Sequence, residues 1–297
     1  MSTVTDSSAV SSGFVPTTDL EILNQEIDDD EAMYRIRAGN RVHYLTITLA
    51  PSPIFDLDTL CRPYLLIPKL PPFPNSNWTK MRMYQASNGK TEHTLSWDPL
   101  SGIDSLWHPR QVNVLSPKRT ASHKSRVKEV EFEGHSALSK LAIFEWWIPQ
   151  LQHETKFYES ILRDLSPGEH SIAPTFLGHL MEQDRCVGFL MEKIDGRHPS
   201  LDDFPACEAA LRKLHRMGWV HGDANRYNFL VERSTGHVKM TDFEHAEPYD
   251  EVKAQLELRE LKAELSETTG RGSSVVVQNG VEKVSGPISY AANTRGL

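Results

Sequence analysis

Residues 221–231 read HGDANRYNFLV, and residues 238–246 read VKMTDFEHA. Each stretch contains a short apolar run of the kind that forms a strand, at 229–231 in the first and at 238–240 in the second. The residues between the two runs include Ser234-Thr-Gly-His237, which has the composition of a turn. The pattern therefore predicts a β-hairpin.

Three oxygen-bearing side chains are predicted to meet at the open end of this hairpin. Asp223 and Asn228 lie just before the first strand, and Asp242 follows the second. Magnesium prefers oxygen ligands and is usually held by one or two carboxylates together with substrate phosphates. We therefore predict Asn228 and Asp242 as metal ligands, which leaves Asp223 to orient or deprotonate an attacking hydroxyl.

The order and spacing of these residues resemble the protein-kinase-like superfamily, whose catalytic loop has the form HxDxxxxN and whose metal motif begins Asp-Phe. Gly222 and Glu244 stand where eukaryotic protein kinases usually have Arg and Gly, and in both respects the chain is similar to the aminoglycoside and choline kinases. Over about residues 34–272 it looks like fungal protein-kinase-like proteins. The runs that carry this closer resemblance are residues 173–179, 188–197, 214–215 and 221–228. The alternative is a chance match in an unrelated hairpin.

This resemblance implies a fold class and a chemistry. The implied fold is α+β and two-lobed, with a β-rich small lobe that contains one key helix and a short, mainly helical large lobe. ATP and Mg²⁺ are the cofactors that such a fold uses, and phosphoryl transfer is its reaction. The resemblance also implies that the histidine of the catalytic loop, His221, is mainly structural.

A strand lysine and a helix glutamate provide an independent test of this interpretation. The run 137–144 is apolar and strand-like except for Lys140, and a buried lysine needs a counter-ion or a phosphate. Residues 149–165 are predicted to form a helix, and Glu154 falls within its apolar stripe. A carboxylate on the core side of a helix needs a cation, for which Lys140 is the candidate.

In the kinase resemblance, an ion pair between Lys140 and Glu154 orients the lysine towards the ATP phosphates, so both residues are predicted to belong to the catalytic site. The alternative is that the two residues are solvated surface charges. The dipeptide His153-Glu154 is not part of a zinc-protease HExxH motif, because residue 157 is Phe.

The glycine-rich loop of protein kinases has no counterpart ahead of Lys140, where the nearest glycine is Gly134. We expect residues 111–115 and 127–133 to form the first two strands of the small lobe, joined by the basic connector 116–126. Side chains of this connector could supply the positive charge that covers the phosphates. The candidates are Lys118, Arg119, Lys124 and Arg126. A solvated basic loop or a nuclear-import patch would explain the same composition.

The adenine-binding linker is expected after the apolar strand at 186–191. In the resemblance, the backbone of Glu192-Lys193-Ile194 forms hydrogen bonds with the adenine, so Glu192 and Ile194 are predicted cofactor-binding residues. Residues 201–217 follow as a helix whose apolar face packs into the large lobe.

The composition limits the classes of partner. A net charge of −8 argues against general nucleic-acid binding and against an anionic membrane surface. The three cysteines are far apart in the sequence and indicate neither a disulfide framework nor a Cys-x-x-Cys metal site. The sequence shows no signal peptide and no apolar run long enough to span a bilayer, so we expect a cytoplasmic protein, with a nuclear location as the alternative.

Four segments are predicted along the 297 residues. Composition predicts a disordered tail at 1–18 and a flexible tail at 269–297. Between them, we expect a β-rich N-terminal extension with the small lobe at 19–195 and a minimal large lobe at 196–268. Within the extension, residues 32–115 are expected to form short strands and extended loops.

The function predicted from these residues is ATP- and Mg²⁺-dependent phosphoryl transfer by an atypical kinase. The stretch after Asp242 is short and lacks the Ala-Pro-Glu that ends the activation segment of eukaryotic protein kinases. We therefore expect the phosphate acceptor to be a small molecule or a presented partner protein, with residues 32–115 forming part of the cleft wall. The alternative is a catalytically weak pseudokinase or scaffold that binds nucleotide or a partner.

Overall fold

The structure is a computed structural model that describes residues 13–122, 126–163, 165, 168–267, 275–278 and 281–284. The protein is α+β, rich in strands and with several helices. It divides into two compact units, of which the first ends at Leu100 and the second begins at Ser101. This division falls inside the segment 19–195 that the sequence suggested. Among the described residues, no helix is both long and apolar enough to cross a membrane.

The first unit is built around a five-stranded sheet. The strands of this unit are β1 (Phe14–Val15), β2 (Leu20–Ile27), β3 (Glu31–Ala38), β4 (Arg41–Thr48), β5 (Phe73–Pro74), β6 (Lys80–Gln85) and β7 (Thr91–Ser96). The sheet has the order β2-β3-β4-β6-β7, in which β4 and β6 are parallel and the other neighbours antiparallel. The short strands β1 and β5 pair separately, so residues 14–15 of the predicted disordered tail are part of the fold.

Two short helices of the first unit, α1 (Leu57–Cys61) and α2 (Pro63–Leu66), cover residues that were expected to form only strands and loops. Both carry ordinary helix start signals. The Asp56 side chain caps α1 by accepting a hydrogen bond from the Thr59 N–H, and proline is the first residue of α2. The prediction missed them because helices this short have no apolar periodicity to detect.

The second unit begins with a six-stranded sheet. Its strands are β8 (Gln111–Asn113), β9 (Lys118–Ser122), β10 (Val127–Phe132), β11 (His135–Leu141), β12 (Phe176–Glu182) and β13 (Arg185–Glu192). Their order is β8-β12-β13-β11-β10-β9, and only the β8–β12 pair is parallel.

The two strands ahead of Lys140 differ from the prediction. Residues 111–113 form β8, which pairs with β12 and not with β10. The strand on the outer side of β10 is β9, which lies inside the expected connector 116–126. The sequence Lys118-Arg-Thr-Ala-Ser122 has no apolar face, so its pattern gave no sign of a strand. An edge strand can be this polar, because the hydrogen bonds of its neighbour hold it in the sheet.

The described part of the second unit also contains three α-helices and several short strands. The helices are α3 (Ile148–Arg163), α4 (Phe204–Arg216) and α5 (Glu251–Leu265). The strands are β14 (Gly196–Arg197), β15 (Trp219–Val220), β16 (Phe229–Glu232), β17 (Val238–Met240), β18 (Glu247–Pro248), β19 (Val275–Gln278) and β20 (Val281–Val284). β14, β16 and β17 form one small sheet, β15 pairs with β18, and β19 pairs with β20. Of the predicted flexible tail at 269–297, the backbone of β19 and β20 is the described part.

One hydrophobic core joins the six-stranded sheet, α3, the β16–β17 hairpin, α4 and α5. The predicted inward stripe of α3 places Leu151, Tyr158 and Ile161 in this core. Phe189 of β13 and Leu211 of α4 are among the residues that complete it. The residues that the sequence assigned to a small and a large lobe therefore share one continuous interior, which fixes the β16–β17 hairpin against α3.

Candidate active site

The β16–β17 hairpin predicted from the sequence is present, and it determines where the oxygen-bearing residues lie. At its open end, the Thr241 N–H donates a hydrogen bond to the Asn228 carbonyl at 2.9 Å. Asp242 is the next residue after this pair, and Asp223 lies in the loop that leads to Asn228. The hairpin register thus holds Asn228 beside the segment that carries Asp242.

The Asn228 side chain fixes Asp223. Its Nδ2 donates to Oδ2 of Asp223 at 3.0 Å and to the Asp223 carbonyl at 2.8 Å. Asn228 is buried, so these bonds set the orientation of its amide. The amide oxygen is consequently the atom that Asn228 would present to a metal.

His221 connects the catalytic loop to the segment before Asp242. Its Nε2–H donates to the Thr241 carbonyl at 3.1 Å, and its Nδ1 accepts the Asp223 N–H at 3.3 Å. Burial lowers the pKa of His221, although nearby carboxylates oppose this effect. A buried neutral ring with both nitrogens engaged in backbone hydrogen bonds supports the structural role that the resemblance implied.

Gly222 and Glu257 position the catalytic loop. Gly222 has a φ of +76°, and a Cβ at this position would lie 2.0 Å from the His245 carbonyl oxygen. Its N–H donates to Oε1 of Glu257 at 2.7 Å, and the other oxygen of Glu257 lies 2.8 Å from Nε2 of His215. The sequence drew attention to Gly222 but not to Glu257, because the polar pattern of α5 does not indicate which of its carboxylates faces the loop.

Asp242 occupies an uncommon backbone conformation. Its φ and ψ are +66° and +61°, in the left-handed region that Asp tolerates better than most residues but that still costs energy. The next residue, Phe243, is buried and stacks on Phe157 of α3 with ring centroids 4.2 Å apart. The Phe243 N–H donates to Oε1 of Glu154 at 3.2 Å. Contacts with α3 therefore hold the turn in which Asp242 sits.

Lys140 lies among three carboxylates. Its Nζ is 2.7 Å from Oε2 of Glu154, 2.7 Å from Oδ1 of Asp242 and 2.9 Å from Oε1 of Glu244. The predicted ion pair between Lys140 and Glu154 is present, and both side chains are buried rather than solvated. The sequence placed Asp242 in the site, but it assigned no contact between Lys140 and Glu244.

The charges of this cluster influence one another. Burial alone would lower the pKa of Lys140, but the carboxylates of Asp242, Glu154 and Glu244 raise it well above its ordinary value. Burial raises the pKa of Glu154 to about 7 against the opposing effect of Lys140. Burial would also raise the pKa of Glu244, but Lys140 and Arg126 together lower it. The lysine is therefore charged at neutral pH, and the net effect on the two glutamates is opposite, since the pKa of Glu154 is raised and that of Glu244 is lowered.

The donor set suits a magnesium ion held partly by substrate phosphates. Glu154, Asp242 and Glu244 offer oxygens within 4.8 Å of one another, and the Lys140 ammonium lies among them. Asp242 is the most exposed of the three, with 30% of its side chain accessible against 1% for Glu154 and 8% for Glu244. Asp242 and Asn228 carry oxygen atoms of the kind that Mg²⁺ accepts, and they stay the predicted metal ligands.

The four basic candidates for covering phosphates differ in position. Lys118 and Arg119 lie on β9, and Lys124 falls outside the described residues. Nη2 of Arg126 donates a hydrogen bond to Oε2 of Glu244 at 2.9 Å, and Nη1 lies 2.8 Å from Oε1 as an ion-pair contact. Arg126 is thus the candidate that the structure joins to the Lys140 cluster.

The predicted adenine linker follows β13. The Glu192 carboxylate accepts hydrogen bonds from the Thr175 N–H at 3.0 Å and from Nζ of Lys239 at 2.9 Å, so this side chain anchors the linker. In the described part of the chain, the backbone N–H and carbonyl of Ile194 form no hydrogen bond. The role of Ile194 in binding adenine stays a prediction.

A cavity of about 380 Å³ opens beside Asp223, between the catalytic loop and α5. Its ionisable lining residues are Asp223, Glu247, Lys253, Glu257, Glu260 and Glu264. Five carboxylates against one ammonium make this lining strongly acidic. The sequence did not predict the cavity, since its walls come from segments that are distant in the chain.

Comparison with solved structures finds chains of similar fold, among them a kinase. Over 51% of this chain and 53% of that chain, the fold matches the solved structure of vaccinia related kinase 3 with 18% identity and a TM-score of 0.36. The chain thus spans about half the length of that kinase structure. No protein-family model and no curated protein matches the sequence. The residue assignments therefore rest on the geometry of this chain.

Proposed function

We propose that this protein is an ATP- and Mg²⁺-dependent phosphotransferase, an atypical kinase. The observation that carries the proposal is the contact of Lys140 with both Glu154 and Asp242 at 2.7 Å. A lysine held by a helix carboxylate next to the metal-binding aspartate is the arrangement that kinases use to orient ATP phosphates. Asp223 and Asn228, joined to each other at the end of the same hairpin, supply the remaining catalytic groups.

In this proposal, each residue has one task. Lys140, oriented by Glu154, binds phosphate oxygens, and the backbone of Ile194 binds adenine. Asp242 and Asn228 would hold Mg²⁺, which neutralises charge on the phosphates when bound. Asp223 accepts the proton of the acceptor's hydroxyl group. At the same time, the hydroxyl oxygen bonds to the γ-phosphorus of ATP, and the bond between that phosphorus and the ADP oxygen breaks.

The cavity beside Asp223 supports a small acceptor. Its volume of about 380 Å³ lies within the range of small-molecule sites, and Asp223 is part of its wall. A small molecule with a hydroxyl group that bound in this cavity would lie next to Asp223, the proposed base. A partner protein that inserts one side chain into the cavity is the other form of acceptor that this shape supports.

One observation favours a second candidate function, a nucleotide-binding or nucleotide-free scaffold. Lys140 and Arg126 are both bound to the Glu244 carboxylate, so an anionic ligand would have to compete with a side chain of the protein itself. A scaffold would retain this arrangement, whereas an enzyme must open it in each turnover.

A thermal-shift titration with ATP, with and without Mg²⁺, tests the proposed function. Ligand at a hundredfold excess over its Kd adds about 2.7 kcal/mol to stability, which is readily detected. We expect a Mg²⁺-dependent shift in the wild type that Asp242→Ala abolishes, together with turnover of radiolabelled ATP. Absence of any shift at millimolar nucleotide would favour the scaffold, and intact turnover in Asp242→Ala would contradict the metal assignment.

A further inference from the structure

Glu244 lies between two cations. Its Oε1 is 2.9 Å from Nζ of Lys140 and 2.8 Å from Nη1 of Arg126, while its Oε2 accepts from Nη2 of Arg126 at 2.9 Å. In the part of the chain that the structure describes, these two cations are the groups that hold the Glu244 carboxylate. One carboxylate oxygen is therefore shared by a lysine and an arginine.

This arrangement is also how proteins bind phosphate. The planar fork of a guanidinium matches two oxygens of a phosphate as well as two of a carboxylate, and a lysine adds a third contact as a point charge. The Glu244 carboxylate thus occupies the place of an anionic ligand. Asp242, which shares Lys140 with Glu244, belongs to the proposed metal site.

Arg126 is held in place for this task. Its guanidinium lies over the ring of Trp147, 4.1 Å from the ring centroid, and its backbone carbonyl accepts the Leu141 N–H at 3.0 Å. It stands directly before β10, at the end of the β9–β10 connection. The segment 118–132 contains no glycine, the residue type that lets backbone amides approach a phosphate closely in a glycine-rich loop.

The charges of the cluster also indicate which carboxylate a bound phosphate would compete with. The carboxylates of Glu154, Asp242 and Glu244 outnumber the two cations, and a phosphate would add further negative charge. Glu154 is also held by the Phe243 N–H. Glu244 is bound through Arg126 and Lys140, so it is the carboxylate with which a phosphate on these two cations would compete.

We propose that Arg126 and Lys140 together bind a phosphate of the nucleotide, and that Glu244 is their resident counter-anion, which the nucleotide displaces. This inference rests on the proposed function. It assigns to Arg126 the part that glycine backbone amides play in other phosphate-binding loops, and it makes Glu244 an internal competitor that weakens nucleotide binding.

Calorimetric titration with ADP and with adenosine tests the proposal. We expect Glu244→Gln to tighten ADP binding by roughly fivefold or more, and Arg126→Gln to weaken it by about ten- to a hundredfold, as for loss of a hydrogen bond to a charged group. Adenosine, which has no phosphate, should bind all variants equally. The matched controls are Glu208→Gln and Arg212→Gln, which break an exposed ion pair on α4 and should leave both affinities unchanged.

Arg126→Gln also loses the contact with the Trp147 ring and could fail to fold. In that case, Arg126→Lys is the variant to titrate. It retains the charge without the fork and should bind ADP with intermediate affinity. Equal ADP affinity in the wild type, Glu244→Gln and Arg126→Lys would overturn this inference while leaving the proposed function in place. If the wild type binds no nucleotide but Glu244→Gln binds ADP, the competitor role is supported. If the wild type and Glu244→Gln both bind neither adenosine nor ADP, the proposed function is wrong, and this inference is wrong with it.

Discussion

At the scale of single residues, the hydrogen bonds of Asn228 and His221 limit which side chain of the candidate site can transfer a proton. The Asn228 amide nitrogen is bound to Asp223, and both ring nitrogens of His221 are bound to backbone groups. Neither His221 nor the nitrogen of Asn228 is therefore available for proton transfer. The carboxylate of Asp223 remains as the proposed base.

Replacing Asp223 with Asn separates catalysis from binding. The new side chain keeps an oxygen that can accept the Asn228 hydrogen bond, but it cannot take a proton. We expect nucleotide affinity to persist and turnover to fall by roughly two to four orders of magnitude, measured by single-turnover transfer from radiolabelled ATP. A collapse of ATP affinity with unchanged turnover per bound nucleotide would instead make Asp223 a ligand.

His179 makes stability depend on pH. Burial, with His108 nearby, lowers the pKa of His179 to about 4 from its ordinary value of 6.5. Between pH 6.5 and pH 4, His179 is therefore protonated in the unfolded chain but neutral in the folded chain. The contribution of this residue to the free energy of unfolding is complete above pH 6.5 and is lost progressively as the pH falls towards 4. We expect about 2 kcal/mol of loss between pH 7.5 and pH 5 from this group, measured by urea unfolding. His179→Gln should flatten this dependence, whereas the exposed control His135→Gln should not.

At the scale of elements, the positions of the site residues depend on places where two backbones meet. The catalytic loop passes His245 at Gly222 and is bound to α5 through Glu257. Helix α3 holds the turn after Asp242 through Phe157 and Glu154. These contacts bring parts of the chain that are far apart in sequence to within hydrogen-bonding distance.

A methyl group at Gly222 would disturb the catalytic loop. Gly222→Ala places a Cβ 2.0 Å from the His245 carbonyl oxygen in a left-handed backbone, so we expect a loss of at least about 3 kcal/mol or a displaced, inactive loop. The control is Gly236→Ala in the hairpin turn, where φ is +73° but nothing lies within 4 Å of the added Cβ. That variant should lose only about 1 kcal/mol. Thermal unfolding of both proteins measures the difference, and equal losses would contradict the close approach.

At the scale of the whole molecule, charge is distributed unevenly. The chain carries a net charge of −8, and the cavity beside Asp223 shares this excess of carboxylates. The Lys140 cluster also has more carboxylates than cations, but the ratio is three to two, whereas the cavity has five carboxylates against one ammonium. The cavity is therefore the more acidic of the two proposed sites.

The acidic cavity predicts the charge of the acceptor. We expect cationic or neutral hydroxyl compounds to be phosphorylated faster than anionic ones, with a preference that declines as salt is added, because exposed charges are screened. Glu260→Lys, on the cavity wall, should lower the ratio of kcat/KM for cationic over anionic acceptors by roughly three- to tenfold. Glu208→Lys, on α4, is the control and should leave the ratio unchanged. Preferential phosphorylation of anionic acceptors by the wild type would refute the assignment of the cavity.

The sequence by itself determined the local features of this protein. The β16–β17 hairpin, the strand that carries Lys140 and the inward face of α3 with Glu154 follow from apolar periodicity and turn composition, which act over a few residues. The sequence also indicated that Lys140 needs a counter-ion, because a buried charge without a partner is too costly.

Only the tertiary structure decided the contacts between distant segments. Glu244 meets Arg126 across more than a hundred residues of chain, and Glu257 reaches the Gly222 N–H from another element. The polar strand β9 is likewise defined by its pairing with β10 and not by its own pattern. Local preferences do not specify which carboxylate faces which cation, because that choice depends on how the elements pack around a common core.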